Sequence, residues 1–188
     1  MAVNQDAPVK RILDPGILVA IVMATVVSWA FFVRPGLPTD TDAEIHIFRA
    51  QQVKGAITTG TLYPRWAPDM YYGNGYPIFN YYAPLAYHAA AYYSILTGLD
   101  VVAGTKFVLV LAAYMGICGM YLFVRDRWSA EAALVAAAAW GFSPYIMFLE
   151  PHARGEVAET LALGISPMVF WAFSRLCISG GTRYVPVA

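Results

Sequence analysis

Residues 101–124, VVAGTKFVLVLAAYMGICGMYLFV, form a long apolar run that stops at Arg125, Asp126 and Arg127. At about 1.5 Å rise per residue, one helix of this length crosses the roughly 30 Å hydrocarbon layer of a bilayer. The basic turn behind it suits a cytoplasmic boundary. Reading outward, Gly16–Val33, Ala130–Leu149 and Thr160–Ile178 are three further runs of spanning length. The chain has 188 residues, of which 59% are hydrophobic and only 13% charged. Soluble domains are less apolar and carry about twice that charge, so this sequence predicts an integral membrane protein.

Formal net charge is zero, which gives no reason to expect a nucleic-acid partner. Cys118 and Cys177 both lie inside apolar segments and read as small buried hydrophobes rather than a disulfide or thiolate metal site. Lys10 and Arg11 precede the first span without a small-residue cleavage site after it. The expected map is a cytoplasmic N-terminus over 1–15, a span over 16–33, an external loop over 34–100 and spans over 101–124 and 130–149. An external loop over 150–159, a span over 160–178 and a cytoplasmic tail over 179–188 complete it. Residues 81–98 are apolar but short, with Pro84, His88 and several tyrosines. Leaving them outside the bilayer gives four crossings and puts Arg125, Arg127, Arg175 and Arg183 on the cytoplasmic side. The same count puts the two polar clusters, around 42–49 and 150–159, on one side of the membrane.

The fold expected is therefore all-α, with about four transmembrane helices and one or two interfacial helices in a large first external loop. Within that loop, Asp42, His46 and Arg49 fall at i, i+4 and i+7, on one face of a helix beginning near Thr41. Ile45, Phe48, Gln52 and Ala56 form an adjoining stripe suited to a membrane surface. The plainer alternative is a solvated amphipathic helix capped by Asp40 or Thr41. Downstream, LYPRWAPDMYYGNGYPIFNYYAPL mixes Tyr, Trp, Pro and Gly, as irregular backbone at headgroup level does.

Four segments carry a resemblance: DAEIHIFRAQQ, GTLYPRWAPDMYYGNGYPIFNYYAPLAYH, GMYLFVRDRW and FSPYIMFLEPHARGEVAETLA. In this order the chain resembles the N-terminal part of bacterial multi-spanning proteins named as 6-pyruvoyl-tetrahydropterin synthase-related. These in turn resemble the GT-C glycosyltransferases, which take sugars from polyprenyl-phosphate carriers at the outer face of the membrane. The resemblance implies a bacterial cytoplasmic-membrane protein whose polar loops face outward. By position it implies Asp42 as the catalytic acid, with Asp40 the alternative. A carboxylate there serves as base for the acceptor or as ligand, with Asp40 and Asp42, for a divalent metal ion. His46 is placed to share that proton or metal. Arg49 and Arg65 are candidates to hold the carrier phosphate, Trp66 to stack on a sugar or isoprenoid, and Arg154 and Glu156 to close the site. Family members are several times longer, and their later helices complete the cavity for carrier and acceptor. The alternative of another class is a non-catalytic subunit of a larger membrane complex. A weaker one is a pore lined by His46, His88 and His152.

Overall fold

The computed structural model describes residues 14–37 and 42–179. Six α-helices run in order: α1 (Pro15–Val33), α2 (Ala43–Thr58), α3 (Leu85–Thr97), α4 (Val101–Arg125), α5 (Ala130–Gly141) and α6 (Val157–Ser179). A wider π-helical segment, Pro144–Arg154, follows α5. Among the described residues the only sheet-like pairing is an isolated bridge between Ala67 and Tyr76. Among the described residues, four stretches are long and apolar enough to cross a membrane: Pro15–Val33, Val101–Arg125, Ala130–Arg154 and Val157–Cys177. This is the all-helical membrane architecture that the hydropathy predicts.

The central helix is α4, which packs against α1, α3, α5 and α6. Between helices in lipid, close approach depends on small residues, and here they lie on both sides of each contact. A Cβ on Gly164 of α6 would sit 2.4 Å from the Ala112 carbonyl of α4, and one on Gly104 would sit 2.2 Å from the Ala90 carbonyl of α3. On the opposite flank Ala20, Ala24, Ile117, Tyr121, Ala133 and Ala137 join α1, α4 and α5. The outer faces of α1 and α5 stay exposed at Leu18, Val22, Val26, Trp29 and Val135, as lipid-facing surfaces are.

One end of the bundle is tied by charges. Arg125 Nε and the Tyr121 hydroxyl both donate to Asp14 Oδ2, at 3.2 and 2.9 Å. Asp126 accepts from both the guanidinium of Arg175 and the indole of Trp171. The other end holds α2, α3 and the turn between Arg154 and Val157. At 13 residues, about 20 Å, α3 is shorter than a spanning helix, and it packs against α2 and α4.

One boundary differs from the sequence map. Residues 150–154, expected in a loop, continue the helical segment from Pro144, and only Gly155 and Glu156 separate it from α6. Pro151 lies inside this segment and has no N–H to give, and the looser π pattern accommodates the missing donor. The turn is made by Gly155 in the left-handed conformation, φ +68°.

Candidate functional site

Helix α2 turns its polar face inward. Ala43, His46, Arg49, Ala50, Gln52 and Val53 are buried, whereas Ile45 and Phe48 are 40% and 39% exposed. The sequence reading placed Gln52 on a membrane-facing stripe and allowed a solvated His46; the structure buries both. Two forces fix this orientation. Val53 and Ala50 join the core with Phe79, Tyr87 and Leu161. The charged groups on the same face find partners from three other parts of the chain, without which their burial would be prohibitive.

Those partners make a continuous chain. His46 Nε2 lies 2.6 Å from Glu156 Oε2 and His46 Nδ1 lies 2.7 Å from the Tyr87 hydroxyl. Arg49 Nη1 donates to the same hydroxyl at 3.1 Å, and the Tyr82 hydroxyl donates to Glu156 Oε1 at 3.1 Å. The partner set assigns the imidazole: Nε2–H donates to the carboxylate, while Nδ1 accepts from Tyr87, whose oxygen accepts from Arg49. One positive and one negative charge are thus linked through two polar groups. The Arg49 guanidinium also lies 4.1 Å from the centre of the Tyr82 ring.

Burial pushes the Glu156 carboxyl up, but hydrogen bonds from His46 and Tyr82 outweigh it and hold the carboxyl below its ordinary range. Burial raises the Tyr87 phenol despite the neighbouring Arg49. For Arg49, burial opposes the charge, and the Tyr87 and Tyr82 hydroxyls more than compensate.

Asp42 stands at the N-cap of α2, half-buried, and its carboxylate makes no capping hydrogen bond. Its backbone N–H donates to the Arg154 carbonyl at 3.1 Å. Gly155 packs so tightly on Ala43 that a Cβ there would lie 2.7 Å from the alanine methyl and 2.9 Å from its nitrogen. The start of α2 is therefore latched to the turn that carries Glu156. Asp42 and His46 are separated by one helical turn, the first at the edge and the second sealed, 1% exposed.

The remaining predicted site residues divide. The Arg154 guanidinium pairs with Glu150 at 2.7 Å and Glu159 at 3.4 Å, while Glu156 is taken by His46. Arg65 and Trp66 lie away from the cluster, along the C-terminal half of α2 with Gln52 and Asp69. Asp40 lies outside the described residues. Among the described residues no three His, Cys, Asp or Glu side chains gather to hold a metal. His88 stacks on Tyr63 and His152 on Phe31, so the three histidines have three separate settings.

Sequence reasoning missed Tyr82, Tyr87 and Glu150. Glu150 is fully buried, with Oε2 lacking any partner among the described residues. Its signal was present, a carboxylate beside Pro151 at the end of an apolar run. The two tyrosines were hidden among thirteen in the chain, since an aromatic belt accounts for such residues equally well.

The family model described as "6-pyruvoyl-tetrahydropterin synthase related domain; membrane protein" matches residues 79–186. No curated protein and no solved structure matches the chain. The matched stretch holds Tyr82, Tyr87 and Glu156 of the network, the Glu150–Arg154 pair, and α3 to α6. With more than half of its length matched, this chain belongs to the 6-pyruvoyl-tetrahydropterin synthase-related family of membrane proteins.

Proposed function

We propose that the chain serves sugar transfer from a polyprenyl-phosphate carrier, in the manner of the GT-C enzymes it resembles, with Asp42 as the general base. The observation that carries this reading is the placement of the half-buried Asp42 at the helix start latched to Arg154, one turn from the sealed His46–Glu156 pair. Asp42 would take the proton of an acceptor hydroxyl as that oxygen bonds to the anomeric carbon. The bond from that carbon to the carrier oxygen breaks, and the phosphate leaves with the electron pair. His46, Arg49, Tyr82, Tyr87 and Glu156 act as positioning residues that hold α2 against the bundle, because a buried, mutually satisfied network keeps one geometry. A divalent cation held by Asp42 would draw its further ligands from outside the described residues, where Asp40 lies. The end of the bundle bearing Asp42 is assigned to the outer face of a bacterial cytoplasmic membrane, with the N-terminus inside. This rests on Arg125, Arg127 and Arg175 clustering at the opposite end.

A second reading is favoured by one observation. His46 has 1% exposure and its cluster is closed, which suits a non-catalytic subunit that needs the network only for shape. The deciding experiment uses the full chain in native membranes supplied with a fluorescent polyprenyl-phosphate glucose. Transfer that falls about 10²–10⁴-fold in Asp42→Asn, at unchanged expression and unfolding temperature, supports the base role. No transfer above an Asp42→Asn control, with gentle extraction yielding a stoichiometric complex, establishes the subunit reading instead.

A further inference from the structure

The C-terminal half of α2 and the 61–69 loop line an open groove of about 530 Å³. Gln51, Gln52, Thr61, Arg65, Trp66 and Asp69 supply its polar and aromatic lining. Gln52 is ten residues beyond Asp42, about 15 Å along the helix, so the groove lies apart from that carboxylate, with Arg49 of the buried network one helical turn from it. Its volume is that of a pocket for a small organic molecule.

Three features make it a built recess rather than a surface dent. Trp66 is 52% exposed, yet its indole is seated on Gly75, where a Cβ would lie 2.4 Å from the ring. The backbone pairing of Ala67 with Tyr76, at 2.8 and 3.0 Å, holds these two neighbours together. Asp69 is oriented by Gln52 through two bonds, Nε2–H to Oδ2 at 2.7 Å and the Asp69 N–H to Oε1 at 3.1 Å. The Arg65 guanidinium is tied to no other described residue. A tryptophan merely anchoring at headgroup level would explain its own exposure, but neither the fixed carboxylate nor the untied guanidinium beside it.

We infer that this groove is a carbohydrate site, taking a pyranose ring that carries a negative charge. Such a ring has an apolar C–H face for the indole and peripheral hydroxyls for Asp69, Gln51 and Thr61, and its anionic group pairs with Arg65. The inference does not rest on sugar transfer by this chain, since an accessory subunit can hold a sugar equally. The same ring chemistry is offered by a soluble sugar and by a glycolipid headgroup.

The test is saturation-transfer NMR on the full chain in lipid nanodiscs prepared without glycoside detergents. The probes are free glucuronic acid, free glucose and, in a separate preparation, a glucuronosyl diacylglycerol doped into the disc. Ring-proton transfer is expected, stronger for the acid than for glucose, and about tenfold weaker in Trp66→Ala. Arg65→Gln, at an exposed and untied position, is expected to equalise the two free sugars. Signal from the doped lipid alone assigns the ligand as a headgroup; signal from the free sugars assigns a soluble one. Absence of transfer from all three probes overturns the inference, as do signals unchanged by both substitutions. If Trp66→Ala does not fold, the Arg65→Gln comparison decides by itself.

Discussion

The imidazole of His46, in the helix that follows the first span, reaches the carboxylate of Glu156, 110 residues later, at 2.6 Å, with both groups buried. Breaking such a pair by removing one partner leaves the other charged or polar group buried and unsatisfied. His46→Ala and Glu156→Leu are each expected to cost about 3–5 kcal/mol. The double variant should cost clearly less than their sum, since it leaves neither group stranded. Unfolding in micelles measures the cycle; strict additivity would remove the pair from any role in holding α2.

Tyr87 is the joint between the Arg49 guanidinium and the His46 imidazole. Tyr87→Phe keeps the ring but deprives His46 Nδ1 and Arg49 Nη1 of their shared hydroxyl. The expected loss is about 1–3 kcal/mol, the cost of leaving buried polar atoms unpaired. An unfolding temperature equal to that of the unsubstituted chain shows that water replaces the hydroxyl.

The depressed Glu156 carboxyl makes stability depend on acid. Its contribution is present above the ordinary carboxylate value of 4.5 and is lost as pH falls through the lower folded value. Unfolding temperature measured from neutral pH downward should therefore fall on the acid side, and Glu156→Gln should flatten that part of the curve. A Glu156→Gln curve parallel to that of the unsubstituted chain throughout rules this carboxyl out as the source.

Gly155 is constrained twice, by a left-handed backbone and by the start of α2. At φ +68° a side chain is strained, and its Cβ would meet Ala43 at 2.7 Å. Gly155→Ala is expected to cost about 1–3 kcal/mol and to displace Asp42 from the Arg154 carbonyl. Hydrogen exchange of the Asp42 amide should then quicken; unchanged exchange refutes the latch.

The proposed sidedness separates Thr59 and Trp128, which are exposed at opposite ends of the bundle. In a background with Cys118→Ala and Cys177→Ser, an impermeant maleimide on intact cells should label Thr59→Cys at once. Trp128→Cys should react only after lysis. The reverse pattern inverts the assigned orientation.

Residues 101–124 already decided that this is a membrane protein, and the three other apolar runs gave the four spanning segments. Hydropathy is a local property, so composition in a window suffices to read it. Keeping residues 81–98 out of the bilayer is the count that brings the 42–49 and 150–159 regions to one side, and in the fold these two regions meet through His46 and Glu156. The helical spacing likewise showed that Asp42, His46 and Arg49 share a face. Spacing cannot say which face is turned inward. That was decided only by Tyr82, Tyr87 and Glu156, which come from other segments and satisfy two charged or polar groups that would otherwise have to remain in water. Nor does any local pattern reveal that the Gly155 turn fits against Ala43, or that Trp66 rests on Gly75. Such fits depend on where distant backbone segments meet, and only the packed bundle fixes that.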